Sequence, residues 1–348
     1  MLAGGVGGAR FVRGLREAVR RAPVGSAVAG SAIDVIVNTG DDWWLAGLRI
    51  TPDLDSMLYT LSGQNDDVRG WGRVGESERV SAELQAYGVT PEWFTLGDLD
   101  LGTHIARSAW LRAGLTPSEV VERLTTRWNL GGVRLHPATD DEIDTHVWVV
   151  SDTGAEEDMH FQEWWTRYRA QVPALRFEQR GVAAARPSPG ALAALAGADV
   201  VLVAPSNPVV SIGTILGIPH LRDAVLAAGS GTGDSRPASG PAPIVGVSPI
   251  IAGAAVRGMA DACLSTIGVA TDAGAVARHY GARSQGGLLD AWLVGVEDES
   301  LVTDLRADGV AAAAVPLWMH DLDTAAALAE AALASSAERA RARKPTRR

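Results

Sequence analysis

The sequence predicts an α/β fold, a Rossmann-like, doubly wound and mainly parallel sheet carrying a largely helical insertion with a small sheet of its own. That class rests on uninterrupted Val/Ile/Leu runs separated by helical stretches, on polar residues placed at the ends of those runs, and on a change of period in the middle of the chain. The core is expected over 1–62 and 186–335, the insertion over 63–185, and a frayed basic tail over 336–348.

Met1-Leu2-Ala3 leaves almost no first strand before a glycine-rich turn, where about five apolar residues are usual, so the natural chain is expected to start slightly upstream. A helix follows over 10–21, then a small flexible spacer over 22–31 and a β-branched strand over 33–37. Thr51-Pro52 supplies an N-cap and first helical position for a helix through 61. A polar loop over 63–75 precedes amphipathic helices over 76–87 and 101–113. Thr116-Pro117-Ser118-Glu119 is a capping box opening a helix that ends near 129. The period then shortens, with strands over 133–135, 146–150 and 175–178 around an aromatic segment at 159–168. Buried-strand runs return at 200–204, 244–247, 288–294 and 310–315. Between them, 229–241 is a Gly/Ser/Pro loop expected to be mobile.

Composition excludes several classes. A net charge of −10 argues against a broad nucleic-acid surface. The single cysteine, Cys263, excludes a disulfide framework or a Cys-rich zinc site and fits a reducing cytoplasm. No apolar run is long enough to span a bilayer, so no membrane partner is expected. Neither a His-x3-His pattern nor a nucleophile elbow occurs, which leaves metallohydrolase and acyl-enzyme chemistry without support.

Chemistry concentrates where the strand over 33–37 ends in Asn38-Thr39-Gly40-Asp41-Asp42, followed by Asp53 and Asp55. Ligands of open α/β sheets bind at the carboxyl ends of strands. Carboxylates crowded there repel one another unless a hard cation or a proton neutralises them, and oxygen-only ligation suits Mg2+; the alternative is a helix cap and solvated loop charges. Gly4-Gly5-Val6-Gly7-Gly8 can bring backbone amides to a phosphate at a helix N-terminus, or can be a tight turn. It is neither a complete dinucleotide fingerprint nor a Walker loop. Ser206, Asn207 and Ser211 after one buried strand, and Ser248 after the next, offer uncharged polar groups for a nucleotide, or turn and cap hydrogen bonds. His160 to Tyr168 is dense in rings for a chain with 5% aromatics and suits stacking of a flat heterocycle, or an aromatic mini-core. His104 and Arg107 share a helical face and can hold a phosphate or carbonyl, or simply meet solvent.

Taken in order, Gly4-Gly5-Val6-Gly7-Gly8-Ala9-Arg10, Val37 to Trp43, Pro52-Asp53-Leu54-Asp55, Leu96 to Asp100 with Thr103 to Arg107, His160 to Trp165, Ala204 to Gly213 and Gly246 to Ile251 resemble the coenzyme F420 biosynthesis transferases of the CofD/FbiA family. The likeness spans roughly 2–330 and departs in the first strand, the 22–31 spacer and the 229–241 segment. It implies a magnesium-dependent cytoplasmic homodimer that transfers a three-carbon acid phosphate from a guanosine diphosphate-linked donor to the deazaflavin Fo, releasing GMP. The closest likeness is to the actinobacterial branch, whose donor is enolpyruvyl-diphospho-guanosine; the lactyl donor is the alternative.

On that resemblance, Asp41 and Asp55 are expected as metal ligands, with Asp42 or Asp53 behind them, and one of the acids is the alternative general base. Gly5, Gly7, Gly8, Asn38, Ser206, Asn207, Ser211 and Ser248 would surround the guanosine diphosphate portion. Thr103, His104, Arg107, Gln162 and Trp165 would border the deazaflavin, with His104 near the reacting atoms. A non-catalytic nucleotide-sugar regulator of the gluconeogenesis-factor type is similar around the glycine and Asn-Pro segments, but 52–55 and 160–165 favour the transferase. An NAD-dependent oxidoreductase fails on the incomplete fingerprint.

Overall fold

In the computed structural model, which describes residues 1–230, 241–256 and 258–343, the apolar runs of the sequence become a single central sheet. The chain opens with β1 (Leu2–Ala3), α1 (Gly5–Arg21) and β2 (Ile33–Val37), then a hairpin of β3 (Trp43–Leu45) and β4 (Leu48–Ile50). Helices α2 (Pro52–Ser62), α3 (Arg79–Ala86), α4 (Asp98–Arg112) and α5 (Pro117–Thr125) lead to β5 (Val133–Pro137). β6 (Asp144–Val150), β7 (Glu156–His160) and β8 (Ala174–Arg180) make a separate antiparallel sheet. Next come α6 (Pro189–Ala196), β9 (Val201–Val203), α7 (Ile212–Gly217), α8 (Leu221–Leu226), β10 (Ile244–Val247), and a ribbon of β11 (Ile250–Ile251) and β12 (Ala254–Ala255). The last elements are α9 (Ala260–Thr266), α10 (Ala273–Tyr280), β13 (Ala291–Gly295), α11 (Val302–Ala307), β14 (Ala311–Val315) and α12 (Leu322–Arg343).

The main sheet has 7 strands in the order β14-β13-β10-β9-β1-β2-β5, and every pairing in it is parallel. From β1 the chain moves outward to β2 and β5, then returns to β9 on the other side of β1. That reversal opens a crevice at the carboxyl ends of β9, β1 and β2, the place where such sheets bind ligands. Alternation along the strands fills both faces. Leu2, Ile36, Val201 and Val203 pack with α6, α7, α8 and α10, whereas Ala3, Val35, Val37 and Leu202 pack with α1, α2 and α12.

Several expectations change. β1 needs only two residues because β2 and β9 hold it on both sides. Helix α1 begins at Gly5 rather than at residue 10, so the glycine run is the first turn of the helix. β5 joins the main sheet beside β2, so the expected insertion is interrupted by a core strand and its small sheet keeps only β6 to β8. That sheet is anchored on the core through Val147, Val149 and Trp164 packed with Val210, Met259 and Cys263. Helix α12 extends to residue 343, so the start of the tail expected to fray is helical, and residues 344–348 lie outside the described residues, as does 231–240 of the Gly/Ser/Pro loop. The capping box at Thr116 and Glu119 forms as expected.

Candidate active site

Asn38, fully buried at the end of β2, organises the acids. Its side-chain amide donates to Asp41 Oδ1 at 2.8 Å and to Asp53 Oδ2 at 2.9 Å, while its own oxygen accepts from the Gly40 amide at 3.0 Å. Asp53 also accepts from the Gly5 amide at 2.7 Å, so a carboxylate of α2 already sits on the first amide of α1. Gln162 reaches across from the small sheet to Asp41 Oδ2 at 3.2 Å.

The electrostatics of this group are unusual. Asp41, Asp42 and Asp53 are all buried, and among the described residues neither Asp41 nor Asp53 has a cationic partner. Burial, then the fields of Asp53 and Asp42, push the Asp41 carboxyl well above its ordinary range. Burial raises Asp42 well above that range despite Arg49 and Arg107, and raises Asp53 to about 6. Asp42 Oδ1 and Thr39 Oγ1 are buried with no hydrogen-bond partner. Acids crowded and buried in this way are neutralised by protons, or by a cation that arrives with a ligand.

Asp55 lies in different company. Its carboxylate is paired with Arg107, whose other nitrogen donates to the Arg49 carbonyl at 3.1 Å and meets His104 Nδ1 at 2.8 Å. His104 Nε2 stands 3.3 Å from Asp100 Oδ1, which accepts from the Tyr59 hydroxyl at 2.6 Å. Burial alone would raise the Asp100 carboxyl, but His104 and Tyr59 hold it below its ordinary range. Asp55, Asp100 and His104 bring ligand atoms within 4.8 Å of one another, yet Arg107 already supplies the cation there. Asp41 and Asp55 therefore belong to separate hydrogen-bond networks, with Asp42 feeling the field of Asp55 from between them.

Beside Asp42 a cavity of about 250 Å³ opens, bounded by Thr39, Thr51, Arg49, Arg107 and Trp44. Arg49, Arg107 and Arg112 line this cavity together with Asp42, Asp140, Asp141 and Glu142, so it is a polar pocket with charges of both signs at the strand-end crevice.

Residues 1–333 match the family described as 2-phospho-L-lactate transferase CofD. The chain is 53% identical over 334 residues to a phosphoenolpyruvate transferase of Thermobifida fusca, covering 96% of each protein. It is 50% identical to one of Streptomyces coelicolor, covering 97% of this chain and 98% of that protein, and 49% identical to one of a Mycobacterium species, covering 95% and 96%. The chain belongs to the CofD family. It is a transferase. A crystal structure of a UPF0052-family protein from Bacillus halodurans, at 17% identity and TM-score 0.55, covers 95% of this chain and 98% of that one, and shares the fold.

In this CofD-family transferase, many polar residues expected to touch a nucleotide also have internal work. A Cβ on Gly7 would lie 2.9 Å from the Pro205 carbonyl, and one on Gly8 2.7 Å from Ser206 Oγ, so both glycines permit close packing of α1 on the β9 loop. Ser206 Oγ donates to the Gly4 carbonyl, Asn207 Oδ1 accepts from the Val209 and Val210 amides, and Ser248 Oγ closes a turn onto Ile250. Ser211 faces Gly4 across the crevice, its oxygen 3.0 Å from where a Cβ would be.

The aromatic segment divides. Trp164 is fully buried in the core of the small sheet and Trp165 is 37% exposed. His160 stacks on Trp43 at 5.1 Å, and burial lowers its pKa to about 4, so the ring is neutral at pH 7. Thr103 makes only a long bond to the Leu99 carbonyl. Sequence reasoning missed Trp93 and Phe94, which pack on Trp43, and Arg49, carried by the β3–β4 hairpin. Part of the signal was available: Ala46-Gly47 between Trp43-Trp44-Leu45 and Leu48-Arg49-Ile50 reads as a two-residue hairpin, and both residues have positive φ.

No helix among the described residues is long and apolar enough to cross a membrane.

Proposed function

We propose that this transferase moves the enolpyruvyl phosphate group of a guanosine diphosphate-linked donor to a hydroxyl of the deazaflavin Fo, forming a phosphodiester and releasing GMP, as a cytoplasmic homodimer in coenzyme F420 biosynthesis. The observation that carries it is the group of buried carboxylates around Asn38 with no internal cation, placed at the switch-point crevice beside an arginine-walled cavity. Without a ligand these acids are neutralised by protons, and a divalent cation arriving with an anionic ligand would replace them.

Asp41 and Asp42 would hold Mg2+. When bound, the ion supplies charge neutralisation for the diphosphate and polarises the phosphorus that is attacked. Asp55, expected from the sequence as a second ligand, is instead assigned to holding Arg107 at the cavity wall. Asn38 orients Asp41 and Asp53, and one carboxylate of that group accepts the proton leaving the acceptor hydroxyl. Gln162 fixes the second oxygen of Asp41, which ties the small sheet to the reacting centre. The enolpyruvyl donor is favoured over the lactyl one because relatives about half identical across the full chain are named phosphoenolpyruvate transferases.

Incubating the protein with Fo, the enolpyruvyl donor and Mg2+ should give a species heavier than Fo by the enolpyruvyl phosphate group, together with GMP, and chelation should stop both. No product from Fo, or equal turnover after chelation, would sink this assignment.

A further inference from the structure

The cavity beside the acids is lined by a guanidinium that, among the described residues, donates no hydrogen bond. Arg49 is the middle residue of β4, and its side chain is only 10% exposed. Its backbone is fixed on both sides, the amide donating to Ser108 Oγ at 2.8 Å and the carbonyl accepting from Arg107 at 3.1 Å. Among the described residues its guanidinium donates no hydrogen bond. The nearest carboxylate oxygen, Asp42 Oδ2, is 3.8 Å away, and the Trp44 ring centroid lies 5.8 Å from it.

Apart from Asp42, whose Oδ1 has no partner among the described residues, the other charged groups around the cavity are engaged, Arg112 with the Gly47 carbonyl and Asp141 with the Arg186 amide among them. Arg107 donates to Asp55 and to the Arg49 carbonyl. On the far wall Asp140 accepts from Ser118 and Glu142 accepts from the Trp44 indole. The Arg49 nitrogens open onto the cavity, and a planar guanidinium fork that donates to no group among the described residues matches a planar two-oxygen anion entering there.

The geometry points to Arg49 as the group that recognises the carboxylate of the donor's three-carbon acid. If, as proposed above, the donor's diphosphate sits at Asp41 and Asp42, the carboxylate is separated from the bridging oxygen by one carbon. Arg49, just beyond hydrogen-bond distance of Asp42, stands beside the place that carboxylate occupies. The site so defined takes a short α-carboxylated phosphoester, and the carboxylate, rather than the nucleotide, selects it.

The same guanidinium could in principle meet a phosphate of the nucleotide or an oxyanion of the acceptor ring, and steady-state kinetics separate these sources. Arg49→Gln should raise KM for the carboxylated donor roughly 10- to 100-fold, the loss of a charge-assisted pair, while leaving GDP affinity and KM for Fo unchanged. Arg49→Lys should recover only part of the donor affinity, because an ammonium cannot form the two parallel bonds. GDP binding by each variant shows that it is folded. Equal weakening of GDP and donor, a rise confined to Fo, or an unchanged donor KM would each overturn the assignment. Failure of the wild-type protein to turn over Fo would instead remove the transfer reaction on which it rests.

Discussion

Asp53 and Asp55 are two residues apart in the first turn of α2, and their surroundings are opposite. Asp53 turns to Asn38, the Gly5 amide and the cation-free acids; Asp55 turns to Arg107 and, through it, to a chain ending at Tyr59. Residues two apart on a helix point to different sides, so one short motif feeds two networks. In one network Asp41 and Asp53 have no cationic partner among the described residues, and burial favours their protonated forms. The other is complete without a ligand. A carboxylate's role is thus set by the cation it can reach, and not by its neighbours in the sequence.

The complete network should be the more costly to break. Arg107→Ala leaves Asp55 buried without its partner, and about 3–5 kcal/mol of stability should be lost in a denaturant titration. A loss of less than 1 kcal/mol, a surface-pair value, would erase the distinction drawn between the two sides.

The open network should affect turnover instead. Asp41→Asn should add about 3–4 kcal/mol to the barrier at fixed Mg2+, comparable with losing a strong transition-state contact. The metal-free melting temperature should not fall, since repulsion from Asp42 and Asp53 is relieved. Asp55→Asn is the control: if it abolishes the response to Mg2+ while Asp41→Asn retains it, the ion belongs on the Asp55 side.

The third difference lies in pH. The Asp53 carboxyl is raised from 3.8 to about 6 by burial, so in this range the folded state holds a proton that the unfolded state has released. Its contribution to stability is present below the unfolded value and is lost as pH rises to about 6. That loss is about 3 kcal/mol in metal-free protein. Asp53→Asn should flatten the decline between those values, as should saturating Mg2+. A decline of the same size in the variant would assign the effect to other groups.

Much of this site was legible beforehand. The strand ending in Asn38, the acids after it, and the Pro52 helix start follow from β-branched runs, proline's place in a first helical turn and the rule for strand ends, although Thr51 bonds Asp55 Oδ2 and makes no side-chain cap. That Asp41 and Asp55 have different hydrogen-bond partners was not, because it depends on which side of α2 meets which neighbour once α4 has docked. Ala46-Gly47 marks the hairpin that carries Arg49, but a three-residue strand is too short to show which way that side chain faces. The serines at strand ends were visible as polar groups, but only their packed surroundings tell a turn bond from a ligand contact.

By itself the sequence determined the order of strands and helices, the two-faced burial of the sheet and the end at which polar chemistry gathers, since these follow from local period and from burying apolar side chains. Only the tertiary structure decided which acids share a proton or a cation and which guanidinium faces the cavity without donating a hydrogen bond among the described residues. Coulomb energies between buried charges depend on separations of a few ångströms across elements far apart in the chain, and no local pattern encodes those distances.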